Sequence, residues 1–152
     1  MINWGIIGFG NMGRKFAECF NYVDQKINLF GYASNSNLKS FNENKTKFDS
    51  YKELIESKNI DAVYISTLNN SHKDLVIYAL QSQKKVLCEK PLGINFQEVN
   101  DIKKIIKDKK NLIFEAITYR SHPQTSFLKK IVKDKELGEI KKIESYFGFK
   151  VK

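Results

Sequence analysis

At 152 residues and 41% hydrophobic composition, the chain has the length of one ordinary domain with a real core. No apolar run approaches the ~18 residues that mark a membrane helix. The formal charge of +9 raises nucleic acid as a partner, but of 26 basic residues only Arg14 and Arg120 are arginine, the residue on which base readout leans. Lysines such as Lys39, Lys45, Lys47, Lys103, Lys104 and Lys107 read as a solvated surface, leaving no nucleic-acid partner and no membrane contact. Cys19 and Cys88 have no metal or redox spacing, and Ile2 opens a strand with no basic leader before it. The chain is therefore read as cytoplasmic, with no metal.

The first stretch, Ile2-Asn3-Trp4-Gly5-Ile6-Ile7, is a short apolar strand that runs into Gly8-Phe9-Gly10-Asn11-Met12-Gly13 and then into a helix from Arg14. Each glycine of this G-x-G-x-x-G has a task in binding a dinucleotide. The first makes a tight turn, the second lets the backbone approach a pyrophosphate, and the third lets helix and strand pack closely. The N–H groups and dipole of the helix N-terminus then face the phosphates. Such spacing also arises in ordinary turns; the strand before it and the helix after it carry the reading.

Ile27–Ala33 is a second strand, ending at Ser34-Asn35-Ser36. In a Rossmann unit this position reads the adenosine ribose. An acid accepts from the 2'-OH of NAD, whereas basic or small polar groups tolerate the 2'-phosphate of NADP. No acid stands here and Lys39 follows, so NADP is the preferred cofactor and NAD the other candidate. A plain Ser/Asn turn is the competing reading.

Residues 37–48, with Leu38, Phe41 and Phe48 as apolar anchors, are assigned one helix. Tyr51–Ser57 is another, capped by Asp49 or Ser50. Asp61–Ser66 is a continuous apolar strand of the kind buried on both faces of a parallel sheet, and it ends at Thr67-Leu68-Asn69-Asn70-Ser71-His72. Ser71 and Asp74 have capping-box spacing for a helix with Leu75, Val76, Ala79 and Leu80 on one face.

Lys85–Cys88 is a strand closed by Glu89-Lys90-Pro91, and residues 97–109 form an amphipathic helix through Val99, Ile102, Ile105 and Ile106. Leu112–Ile117 is a strand leading to Tyr119-Arg120-Ser121-His122-Pro123 and a helix with Phe127, Leu128, Ile131 and Val132 inward. Strands alternating with helices predict a doubly wound, mostly parallel α/β sheet, the Rossmann fold. Residues 138–149 alternate, with Ile143, Phe147 and Phe149 on one face, like the opening strand of a further sheet. An unpaired apolar strand invites strand addition, so either a fragment or a homo-oligomer is expected.

Four stations in order, namely Gly8 to Gly13, Thr67 to His72, Glu89-Lys90-Pro91 and Glu115 to Pro123, together resemble the glucose-fructose oxidoreductase, inositol dehydrogenase and rhizopine catabolism family. The likeness covers nearly the whole chain, and Glu-Lys-Pro closing the fifth strand of such a sheet is its specific part. Members pair the Rossmann domain with a C-terminal α/β domain that carries much of the substrate site and mediates oligomers. The resemblance therefore implies a dinucleotide-binding domain over residues 1–120, and over 121–152 the connecting helix and first strand of a truncated second domain. It implies hydride transfer between NAD(P) and a carbinol or carbonyl carbon of a sugar, inositol or related diol, hence a sugar or polyol substrate.

By the same resemblance Lys90 is the catalytic residue, beside the nicotinamide and the substrate hydroxyl, where a cation stabilises a developing alkoxide. Pro91 would carry a cis bond, and Glu89 would orient the lysine or contact the cofactor ribose. Gly8, Phe9, Gly10, Asn11, Met12 and Gly13 would bind the cofactor with Ser34, Asn35 and Ser36. Thr67, Leu68, Asn69 and His72 would complete that site together with Glu89, Lys90 and Pro91. Tyr119, Arg120 and His122 would lie by the substrate or the domain junction. Blander readings stand beside these: Lys90 as one surface lysine among many, His72 as an ordinary helix N-terminal histidine, and Tyr119, Arg120 and His122 as junction packing.

Two departures from the family pattern are visible. Leu68 stands where proline is common, and the acid/base Asp and His of the second domain have no counterpart. The alternative function is a non-catalytic dinucleotide-binding or regulatory protein.

Overall fold

The computed structural model describes residues 1–24, 26–35, 44–106, 112–148 and 150. Six strands make one all-parallel sheet in the order β3-β2-β1-β4-β5-β6: β1 (Ile2–Ile7), β2 (Ile27–Ala33), β3 (Thr46–Phe48), β4 (Ala62–Ile65), β5 (Lys85–Cys88) and β6 (Ile113–Glu115). The helices are α1 (Asn11–Cys19), α2 (Tyr51–Glu56), α3 (His72–Gln81), α4 (Phe96–Ile105) and α5 (Pro123–Lys133).

The sheet is covered on both faces, which is why every residue of β4 is buried. Alternate residues of β1 serve the two sides. Ile6 joins Phe9, Ala17, Leu29, Tyr32 and Tyr64 under α1, while Ile7 joins Leu54, Ile55, Val76, Leu80 and Ile102 under α2, α3 and α4. Phe16 of α1 stacks on Tyr64 with ring centroids 4.0 Å apart. This is the doubly wound Rossmann arrangement, and its direction of winding reverses between β1 and β4, where such sheets bind ligands.

The pairing register sets the site. Ile7 lies opposite both Ala33 and Ile65, Ile65 opposite Cys88, and Cys88 opposite Glu115. Ala33 also lies opposite Phe48, so all six strands end in one row. The residues just beyond that row are Gly8, Ser34, Asp49, Ser66, Glu89 and Ala116.

Several expectations need correction. Residues 46–48 are not helical: they are β3, paired parallel with Gly31–Ala33, because Phe48 is buried in the core near Phe30 and β2 otherwise presents an open edge. The stretch 36–43, including Leu38, Lys39 and Phe41, lies outside the described residues. Ser50, not Asp49, caps α2. Its Oγ accepts from Glu53 N at 3.0 Å while Asp49 N donates to the Glu53 carboxylate at 2.9 Å, a reciprocal pair. Ser71 makes no such cap for α3; its Oγ donates instead to Leu68 O at 2.7 Å.

Met1–Ala116 and Ile117–Lys152 form two compact units. In the second, the regular elements among the described residues are a 3-10 turn (Thr118–Ser121) and α5. Phe127, Leu128 and Val132 are exposed rather than inward, since that unit supplies no second layer of its own for α5. Residues 138–148 form no strand, because a strand needs a ladder partner; Phe149 lies outside the described residues.

Candidate functional site

Gly8 leaves β1 with φ of +85°, and an added Cβ would stand 2.8 Å from Thr67 Cγ2 and 2.9 Å from Ser66 backbone. Only glycine meets both demands. Gly8 N donates to Ala33 O at 2.9 Å and Ser66 Oγ donates to Gly8 O at 2.7 Å, so the turn is tied to β2 on one side and to the end of β4 on the other. Gly13 is pressed on the same turn, its hypothetical Cβ being 2.5 Å from Gly8 O. Gly10 differs: nothing lies within 4 Å of the place where its Cβ would be.

Helix α1 starts at Asn11 with no side-chain cap and no acid in its first turn. Arg14 N makes the first helical bond, to Gly10 O at 3.0 Å, so the N–H groups of Asn11, Met12 and Gly13 have no intrahelical acceptor. Open backbone at Gly10 beside these donors fits a pyrophosphate. Phe9 is 1% exposed and stacked on Tyr32, so it offers a ligand its backbone only. The Arg14 guanidinium lies 5.6 Å from the Phe9 ring centroid. Ser34 and Asn35 close β2 in the same row; Ser36 lies outside the described residues.

Beyond β4, Leu68 has φ of −70°, the angle proline would impose, so the missing proline leaves this backbone unchanged. Thr67 Oγ1 and Ser71 Oγ are 2.7 Å apart, and Leu68 is 80% exposed. His72, by contrast, is wholly buried. Its Nδ1 lies 2.8 Å from Pro91 O and its Nε2 3.2 Å from Thr67 O, so neither ring nitrogen is offered to a ligand.

The turn after β5 carries Glu89, Lys90 and Pro91, and the Lys90–Pro91 peptide is cis. Lys90 is exposed. Glu89 does not hold its ammonium: Glu89 Oε1 accepts from Tyr64 Oη at 2.6 Å and Oε2 from Lys90 N at 3.3 Å. On the far side, Leu92 N donates to Glu115 Oε1 at 2.8 Å.

Burial, and then the bond to Glu89, hold the Tyr64 phenol well above its ordinary range, so it stays a donor. Burial chiefly, with the Glu89 and Glu115 carboxylates nearby, pushes the Cys88 thiol up to about 12. Tyr119 and Arg120 sit in the 3-10 turn of the second unit, and His122 caps α5, accepting from Gln124 N at 3.2 Å.

The sequence reading missed Tyr64, Ser66 and Glu115, whose hydrogen bonds hold the turns. Their partners lie 25, 58 and 23 residues away, and no local spacing announces such pairs. Among the described residues no cluster of three or more His, Cys, Asp or Glu could hold a metal, and no helix is long and apolar enough to cross a membrane.

Residues 2–117 match the model of the glucose-fructose oxidoreductase, inositol dehydrogenase and rhizopine catabolism group, described as an oxidoreductase family with an NAD-binding Rossmann fold. The trans-1,2-dihydrobenzene-1,2-diol dehydrogenase of Xenopus tropicalis is 27% identical over 154 residues, spanning 97% of this chain and 47% of that protein. The human enzyme of that name is 27% identical, over 97% and 46%. Among solved structures, myo-inositol 2-dehydrogenase from Lactobacillus plantarum is 28% identical with a TM-score of 0.76, covering 91% of this chain and 43% of its own. Scyllo-inositol dehydrogenase from Lactobacillus casei, with bound NAD(H) and scyllo-inositol, shares the fold at a TM-score of 0.82 and 23% identity, over 91% and 43%. The chain spans about half the length of the curated relatives it matches.

Proposed function

Because the chain belongs to the glucose-fructose oxidoreductase, inositol dehydrogenase and rhizopine catabolism family of oxidoreductases, we propose that it is the cofactor-binding half of an NAD(P)-dependent enzyme acting on a carbinol or carbonyl carbon of a sugar, inositol or related diol. The observation that carries this is the row of strand ends, which brings the glycine turn, Ser34, Thr67 and Lys90 to one edge of the sheet. When bound, the nicotinamide supplies the hydride donor or acceptor. Gly10 and the N–H groups of Asn11, Met12 and Gly13 would hold the pyrophosphate. Thr67, Leu68, Asn69 and the Glu89–Pro91 turn would flank the nicotinamide ribose.

The Lys90 ammonium would hydrogen-bond the reacting oxygen, stabilising negative charge as the carbinol proton departs. Its exposure leaves it open to a substrate arriving from outside this unit. Tyr119, Arg120 and His122 would meet that substrate or the junction with a second domain opening at about residue 121. Exposed Ile143 and Tyr146 favour self-association, and two free cysteines suit a reducing, cytoplasmic setting.

At the end of β2 the absence of any carboxylate through residue 36 favours NADP over NAD. Calorimetric titration with each dinucleotide at matched salt tests both points. Saturable binding, tighter for NADP, is expected; a folded chain that binds neither would remove the reading.

A further inference from the structure

The geometry points to His72 as a positioning residue that locks the Lys90 turn to the Thr67 turn, an inference that rests on the dinucleotide site just proposed. The side chain is fully buried at the first residue of α3, with Val76, Ala79 and Leu80 of that helix in the core. Its two ring contacts reach opposite ways across the site: Nδ1 to Pro91 O at 2.8 Å and Nε2 to Thr67 O at 3.2 Å. Both partners are backbone carbonyls, which only accept, so the ring can serve them only as a donor. A neutral imidazole donates from one nitrogen, and the shorter contact assigns that proton to Nδ1, so the ring hydrogen-bonds Pro91 O and only packs against Thr67 O.

The consequence concerns Lys90. Before Lys90, the Glu89 carboxylate is held by the Tyr64 hydroxyl. After it, the Pro91–Leu92 peptide is held at both ends, its C=O by His72 of α3 and its N–H by Glu115 of β6. The same ring abuts the carbonyl that opens the Leu68-Asn69 turn. One buried imidazole, starting the helix that follows the Thr67 turn and bonded to Pro91 O, therefore joins the two turns that would enclose the nicotinamide end.

Three variants separate donation from space-filling. His72→Leu fills the volume with no donor, His72→Asn keeps a donor where Nδ1 stands, and His72→Gln reaches toward the place of Nε2. Affinity for NADP and NAD is measured by calorimetry, with thermal melting as the control for folding. H72L is expected to bind about tenfold more weakly or worse, H72N to stay within about threefold of the parent, and H72Q to lie nearer H72L. Equal affinity of parent and H72L overturns the inference. Where H72L does not fold, H72Q binding as well as H72N overturns it.

A parent chain that binds neither dinucleotide rejects the cofactor reading instead. The tie itself is then judged by nitrogen NMR of the His72 ring: a protonated Nδ1 supports it, and a bare Nδ1 overturns it.

Discussion

Gly10→Ala separates the binding role of the glycine turn from its folding role. The residue sits at φ −79° and ψ −157°, a β-region conformation open to alanine, and no heavy atom stands within 4 Å of the new methyl. Losing glycine's freedom in the unfolded chain should stabilise the fold by about 0.4–1 kcal/mol. The same methyl would stand where the backbone has to approach a pyrophosphate. Crowding a close contact by one carbon costs roughly 1–3 kcal/mol, which corresponds to affinity about 5- to 150-fold weaker.

Gly13→Ala makes the opposite case. Its methyl would lie 2.5 Å from Gly8 O, 3.1 Å from Ser66 Oγ and 3.2 Å from Ile6 Cγ2. Helix α1 must lift, so a destabilisation of about 1–3 kcal/mol is expected before any ligand is added. Urea denaturation and calorimetric titration of the two variants read both quantities. A G10A chain that melts like the parent and binds dinucleotide equally well would refute the assignment of Gly10 to the pyrophosphate.

Lys90→Met should leave dinucleotide affinity within about threefold while removing hydride transfer from a protein carrying both domains, measured as the split between binding and kcat. The 152 residues alone should bind dinucleotide with little turnover of a polyol, read by nicotinamide absorbance. A thiol reagent should modify Cys19, which is exposed, and spare buried Cys88 until the chain is denatured.

Alkaline stability follows from Cys88 and Tyr64, both of which keep their protons in the folded chain beyond the pH at which the unfolded chain releases them. The folded state then binds more protons than the unfolded. This contribution is intact below the unfolded values, from about pH 8.5 for a thiol, and is lost as pH climbs toward the folded ones, at up to about 1.4 kcal/mol per unit for each group. Urea midpoints from neutral to strongly alkaline pH should fall, and Cys88→Ala should shallow the decline; a flat profile would contradict the assignment.

Much of this was legible in the chain itself. Strand β1, the glycine turn and α1 announce themselves within twenty residues because turn chemistry is local. β3 did not: Thr46-Lys47-Phe48 is a strand because β2 offers it an edge, and three residues carry too little pattern to say so. Ser71 had the right neighbour for a capping box, yet its hydroxyl goes to Leu68 O, a choice made by the tight turn after β4.

His72 stood out in the sequence as a cofactor-site candidate, but its spacing could not reveal that both nitrogens face inward, since Pro91 O is 19 residues away. The apolar face of α5 was visible as a pattern. What would cover it was not.

Because the strands end in register, the sheet acts as a comb that aligns chain segments from six separate places. Strand side chains alternate between faces, so a one-residue slip of β5 would exchange the surroundings of Cys88 and Glu89, turning a carboxylate into the core and taking the Lys90 turn out of step with its neighbours. Insertions between strands are absorbed by loops, whereas one inside β4 or β5 shifts an entire tooth of the comb. Over evolutionary time such a site should tolerate drift in the length of its connections while holding the residue count within these strands constant.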